Sequence, residues 1–188
     1  MIEPGERFHP LHDVGGHSAA RTGEEALAAT GRKPRRSLLR VVLENETPGP
    51  LSPLLAADRA QAIVDLEREN RFLPRGARQG PYLLRLSIQD QRLVFDIRDP
   101  AARPLAAHVL ALGPFHRLIK DYHLLVESYA KAIEEGHEAR LEAIDMGRRG
   151  LHNEAATLLR ERLAGKVAID FATARRLFTL VAILHQRF

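Results

Sequence analysis

Apolar and polar positions alternate most regularly between Tyr82 and Arg98. Tyr82, Leu84, Leu86 and Ile88 are interleaved with Arg85, Ser87 and Gln89, and Leu93, Phe95 and Ile97 alternate with Asp96 and Arg98. A period of two over such runs predicts strands with one buried face. A two-residue loop at Asp90-Gln91 pairs Gln89 with Arg92. It sets Ile88 opposite Leu93, Leu86 opposite Phe95 and Leu84 opposite Ile97, so turn and register put both apolar sets on one side. Asp99-Pro100 predicts a second turn, and Leu105–Leu112 a third strand. Upstream, the run Leu38–Leu43 predicts a short strand. Ser52-Pro53 then opens a helix, because Ser accepts from free backbone N–H groups and Pro suits the first helical position. Its stripe is read as Ala56, Ala60, Ile63 and Leu66, ending near Asn70.

Past Leu112 the period changes. Phe115, Leu118, Ile119, Tyr122, Leu125, Val126, Tyr129 and Ile133 recur at helical spacing. Gly136 permits a break. A helix from about Glu138 and another from about Leu151 follow, with Gly165 closing the second. Asp170 caps a last helix whose stripe is Phe171, Ala174, Leu177, Phe178, Val181 and Leu184. Strands early and helices late define an α+β domain: a small antiparallel sheet, in the order β-α-β-β-β, covered by a C-terminal set of three to four helices. No internal repeat is visible.

Residues 1–36 follow neither period. They hold Gly5, Gly15, Gly16, Gly23 and Gly31, Pro4, Pro10 and Pro34, and His9, His12 and His17, and they end in Arg32, Lys33, Arg35 and Arg36. Such a segment buries too little surface to offset the entropy of ordering it. A mobile basic tail over 1–36 and a single domain over 37–188 are expected. The whole chain has 188 residues and 28 Lys+Arg against 24 Asp+Glu, a formal charge of +4. Zero cysteines exclude disulfides, thiolate metal sites and a cysteine nucleophile. No apolar run approaches the roughly 18 residues of a membrane-spanning helix, and the opening MIEPGERFHPLHDVGG contains no apolar core of a secretory signal. The expected setting is the cytoplasm, with no membrane partner.

Long blocks of the chain carry a resemblance. Gly80-Pro81-Tyr82 followed by LSIQDQRLVFDIRD, then LIKDYHLLVESYAKAI, EAIDMGRRGLHNEAATLLRERLAGK and DFATARRLFTL, resemble an uncharacterised protein family of alphaproteobacteria. The likeness runs from about Leu38 to the C-terminus. It implies a bacterial cytoplasmic protein, and no activity, substrate or cofactor. Where relatives are expected to carry His-Glu-Arg, this chain has Ala57-Asp58-Arg59.

Asp145-Met146-Gly147-Arg148-Arg149-Gly150-Leu151-His152-Asn153-Glu154 is the segment that invites chemistry. Two glycines around two arginines are a costly way to build a helix, at about 1 kcal/mol per glycine. If the segment stays helical, Asp145, an arginine and His152 share a face. If it breaks at Gly150, a helix start flanked by arginines suits an anion. Four readings follow. His152 and Glu154, two residues apart, point to different faces and lack metal-ligand spacing, so no metal is expected. Asp145 and His152 are the acid–base candidates, without an evident nucleophile. Lys120, Arg148, Arg149 and Asn153 are the anion-binding candidates. The plainest reading is an internal salt-bridge network, with Asp121, Glu127 and Glu154 as structural partners of the arginines and His152 satisfying a carbonyl.

Phosphate-loop, dinucleotide-loop and nucleophile-elbow patterns are missing from the sequence, and no cofactor is expected. Residues 139–188 carry an excess of basic side chains, and Arg160, Arg162, Lys166, Arg175 and Arg176 are the nucleic-acid candidates, though no aromatics interleave with them. The reading that results is a non-enzymatic interaction or regulatory module with a protein partner. The alternatives are a small hydrolase acting on a phosphate-bearing substrate through Asp145–Glu154, and an RNA-associated factor using the C-terminal basic face.

Overall fold

A computed structural model describes residues 36–44, 51–76 and 80–185. The expected tail, Arg36 apart, lies outside the described residues. Element order is β1 (Leu38–Leu43), α1 (Pro53–Arg68), β2 (Phe72–Pro74), β3 (Tyr82–Gln89), β4 (Arg92–Arg98), β5 (Pro104–Ala111), a 3-10 turn at Gly113–Phe115, α2 (His116–Glu134), α3 (Glu138–Leu163), β6 (Val167–Ile169) and α4 (Phe171–His185). The class is α+β, with strands concentrated in the first half and helices in the second.

The β3–β4 hairpin has the expected register, Gln89 opposite Arg92 and Leu86 opposite Phe95. Its turn places Asp90 at φ 47° and Gln91 at φ 58°, the mirror-image turn whose twist matches that of the strands. The four-stranded sheet runs β1-β3-β4-β5 and is mixed rather than wholly antiparallel. β1 lies parallel to β3, because α1 carries the chain across before it returns, whereas a tight turn joins only antiparallel neighbours. Asn70 fastens that crossover: its Oδ1 accepts from the Leu38 N–H at 2.7 Å, and its Nδ2 donates to the carbonyls of Leu38 and Leu66. A second, two-stranded ribbon pairs β2 with β6, with Leu73 opposite Ala168. Strands of three residues lie below the length at which alternation is legible, and neither was expected.

α1 begins as predicted, with Ser52 Oγ accepting from the Leu55 N–H. Its buried face is Leu55, Asp58, Ala62 and Leu66, while Ala56 and Ala60 are exposed. Leu66 is buried and Ile63 packs against the core as predicted; only the alanines of the expected stripe face outward, since alanine is small enough to sit on either side. One continuous helix, α3, replaces the two expected between Glu138 and Leu163. A Cβ at Gly150 would meet nothing within 4 Å, and one at Gly147 only a Leu125 methyl at 3.7 Å. The glycines therefore weaken the helix without breaking it, and burial of His152, Ala155, Ala156, Leu159 and Leu163 outweighs their cost. α4 is capped by Asp170, whose Oδ1 accepts from the Thr173 N–H at 2.7 Å. Ten of its fifteen residues are buried, which a helix apolar on nearly all sides requires. Phe171, expected on that stripe, sits half-exposed in its first turn. α4 packs against α1, α2, α3 and the inner face of β3.

Candidate functional site

Four helices each send a polar side chain into the layer beneath the sheet. Asp58 comes from α1, Tyr122 from α2, Arg148 and His152 from α3, and Thr179 from α4. Asp58 is buried among apolar neighbours, a position no carboxylate occupies without partners. It has two: the Tyr122 hydroxyl donates to Oδ2 at 2.6 Å, and Arg148 Nη2 donates to Oδ1 at 3.1 Å. Both charged side chains of that ion pair are nearly removed from water, Arg148 at 12% and Asp58 at 5% exposure. Burial and the neighbouring Asp58 carboxylate push the Tyr122 phenol far above its ordinary range, so it stays a donor.

His152 lies one helical turn beyond Arg148 and is 2% exposed. Its Nδ1 is 2.9 Å from the Arg148 carbonyl, and its Nε2 is 3.1 Å from Thr179 Oγ1. A carbonyl only accepts, so Nδ1 carries the proton and Nε2 accepts from the threonine hydroxyl. Burial, and then the Arg148 and Arg175 cations, hold its pKa down at about 4, against the opposing hydrogen bond to the Arg148 carbonyl. The ring is neutral at pH 7, with Tyr122 and Phe178 edge-on to it at centroid distances of 5.7 and 5.8 Å. Both nitrogens and the ring faces are thus spent inside the protein.

Asp145 pairs instead with Arg149 at 2.8 Å, one turn along α3, in a largely exposed contact. Asp145 and His152 therefore make no direct bond to each other. The expected pairing of the arginines with Asp121 and Glu127 is corrected. Neighbouring helix positions diverge by about 100°, so Arg148 turns inward to Asp58 while Arg149 turns outward to Asp145. Asp121 binds Arg117 at 3.4 Å, and Glu154 binds the same arginine. Glu127 is exposed, and its charge acts on His123. Lys120 and Asn153 are also exposed, and burial of Arg148 removes it from the expected anion-binding set. Asp58, noted only within Ala57-Asp58-Arg59, and Thr179 were given no role by the sequence. The legible signal was a carboxylate three residues after Leu55 and four before Ala62 on one helical face.

A second feature lies at the other end of α3. Its last turns and the β2–β6 ribbon enclose an open cleft of about 750 Å³, lined by Leu73 and Ala168 among apolar residues and by Arg75, Arg160, Glu161 and Lys166. The Arg75 N–H donates to the Lys166 carbonyl at 2.8 Å, closing the ribbon. Gly165, at φ 74°, makes the turn out of α3, and a Cβ there would lie 3.8 Å from Arg75 Nη1. Two of the five nucleic-acid candidates, Arg160 and Lys166, meet here. Arg162 is exposed on the same turns of α3, while Arg176 donates to the Glu69 carbonyl at 2.7 Å and Arg175 is half-buried on α4. Among the described residues, no cluster of three or more His, Asp or Glu side chains is placed to hold a metal ion, and no helix is long and apolar enough to cross a membrane.

The fold and its cross-linked helical layer define a small α+β protein. The profile of the uncharacterised protein family UPF0262 matches residues 35–187, and the chain belongs to that family. It is 60% identical to a UPF0262 protein of Granulibacter bethesdensis over 81% of this chain and 91% of that one. It is 56% identical to a UPF0262 protein of Acidiphilium cryptum, over 81% and 94%, and 49% identical to one of Rhodopseudomonas palustris, over 80% and 93%. No solved structure matches the chain.

Proposed function

We propose that the protein is a non-enzymatic interaction module of the bacterial cytoplasm, in which Asp58, Tyr122, Arg148, His152 and Thr179 lock four helices together and leave the surface to a protein partner. The observation that carries this reading is His152, the acid–base candidate, closed in the core with both ring nitrogens bonded. A general base must come within hydrogen-bond reach of the proton it takes, and this ring offers a substrate neither nitrogen. Arg148, the inner of the two arginines, is neutralised by Asp58 and so presents no free cation to a phosphate.

Two measurements test the reading. Wild type and His152→Gln are incubated with p-nitrophenyl phosphate and bis(p-nitrophenyl) phosphate, and neither is expected to release nitrophenol above the buffer rate. Turnover by wild type that a folded His152→Gln chain lacks overturns the module in favour of a hydrolase. The tagged full chain is also recovered from a native-like lysate with and without nuclease. A protein partner retained in stoichiometric amount under both conditions supports the module, and loss of every partner on nuclease treatment favours an RNA-associated factor.

A further inference from the structure

We propose that the cleft between the last turns of α3 and the β2–β6 ribbon is a docking groove for an extended acidic peptide segment, with apolar side chains interspersed, presented by a partner protein. The inference rests on the interaction-module reading and adds the partner's chemistry and the surface that reads it.

Charge comes first. Three cations, Arg75, Arg160 and Lys166, face the cleft against one carboxylate, Glu161. Seven arginines elsewhere, Arg68, Arg98, Arg103, Arg117, Arg140, Arg148 and Arg149, each have an Asp or Glu within 3.4 Å. Exposed Arg92 and Arg162 have none among the described residues, and what sets the cleft apart is that it gathers three cations on one concave surface. Among the described residues no carboxylate pairs with Arg75 or Arg160, and both are exposed. Lys166 Nζ donates only to the Arg162 carbonyl, at 3.3 Å. A surface that leaves its cations unneutralised attracts and orients an anionic partner.

Shape and lining decide which anion. A volume of about 750 Å³ is far larger than a single phosphate or carboxylate fills. It falls in the range of pockets, about 300–1,000 Å³, that enclose several groups at once. Leu73 and Ala168 oppose each other across the ribbon, so their side chains share one face and give the cleft an apolar floor between the cations. No aromatic ring lines it, and single-stranded nucleic acid is held on aromatic stacking platforms as well as by charge. An apolar floor with a basic rim fits a peptide that alternates carboxylates with aliphatic side chains.

A random dodecapeptide display library, panned on the full chain, tests this. Parallel panning uses Arg75→Glu/Arg160→Glu and a control of equal net charge, Arg92→Glu/Lys120→Glu, whose two positions are exposed and outside the cleft. Equal urea midpoints establish that both variants fold; if the cleft variant does not, Arg160→Gln replaces it. Peptides enriched on wild type and on the control are expected to carry Asp or Glu with Leu, Ile or Val between them. By fluorescence anisotropy such a peptide should bind the cleft variant about tenfold more weakly, near 1.4 kcal/mol. Its Asn/Gln counterpart should lose a similar factor on wild type, and a short oligo-uridylate should not displace it. The proposal is overturned by no enrichment, by enriched peptides without acidic residues, by equal loss in both variants, or by displacement with oligo-uridylate. A partner retained from lysate by both variants would sink the groove and leave the module standing, whereas phosphate-ester turnover would sink the module.

Discussion

Arg148 and Arg160 belong to the same helix, roughly 18 Å apart along its axis, and their environments are opposite. Arg148 ends in the core, neutralised by Asp58 and beside the Tyr122 hydroxyl bonded to the same carboxylate. Arg160 stands on the wall of an open cleft with no described carboxylate bonded to it. The inner arginine is dehydrated, so its energy depends on geometry and on every partner being present. The outer one keeps its water, contributes little to folding and is available to a partner. One residue type thus holds the core together where it is buried and paired with Asp58, and in the proposed groove it would meet a partner where it is exposed without a carboxylate.

The sharpest way to break this contrast is to remove the inner carboxylate. Asp58→Ala leaves the buried Arg148 guanidinium without its counter-ion and should cost about 3–5 kcal/mol, read as a drop in the urea midpoint. The double replacement Asp58→Leu/Arg148→Met should recover much of that loss, because apolar groups of similar size replace a buried ion pair at little cost. A double variant as unstable as Asp58→Ala would show that the cluster is not organised around this pair.

Acid should come next in size. The His152 ring titrates near its ordinary 6.5 in the unfolded chain and at about 4 in the folded one. Between these values the unfolded chain binds a proton that the folded ring refuses. The stability is complete above about pH 6.5 and is lost as pH falls toward 4, by roughly 3 kcal/mol at 1.4 kcal/mol per unit. His123, also held low by burial, acts in the same direction. Urea midpoints at about pH 7.5 and about pH 4.5 should therefore diverge for wild type and converge in part for His152→Gln. Equal pH slopes in the two chains would show that the ring is not held neutral.

The helix joining the two regions supplies a smaller test. Gly150 has open space where a Cβ would stand, so Gly150→Ala should stabilise by about 1 kcal/mol through helix propensity. A loss of stability would mean that α3 bends there and does not run through as one rod. Smallest of all, Arg149→Gln and Arg160→Gln should each change stability by less than about 1 kcal/mol. A large loss at Arg160 would make the cleft wall structural and remove the contrast with Arg148.

Sequence patterning made much of the fold legible. The hairpin register was readable because a one-residue slip would turn every apolar side chain of β3 or β4 outward. Ser52 and Asp170 were readable as caps because they satisfy backbone groups within a few residues of themselves. The site was less legible. Arg148 and His152 were identifiable, but the carboxylate that meets Arg148 lies 90 positions away, and no local period encodes such a distance. Ala56 and Ala60 of the α1 stripe were misplaced, while Ile63 and Leu66 were not, since alternatives built from alanine differ little in hydrophobicity.

By itself the sequence determined what local energetics can fix: the period of the β3–β4 hairpin and of α2 and α4, the caps of α1 and α4, the hairpin turn, and an excess of basic side chains toward the C-terminus. Only the tertiary structure decided that β1 lies parallel to β3, that two three-residue strands meet as a ribbon, and that adjacent Arg148 and Arg149 part company. Those outcomes depend on which surfaces meet once the helices pack. Desolvation then assigns each arginine its part: the one carried inward must find a carboxylate, and the ones left in water need not.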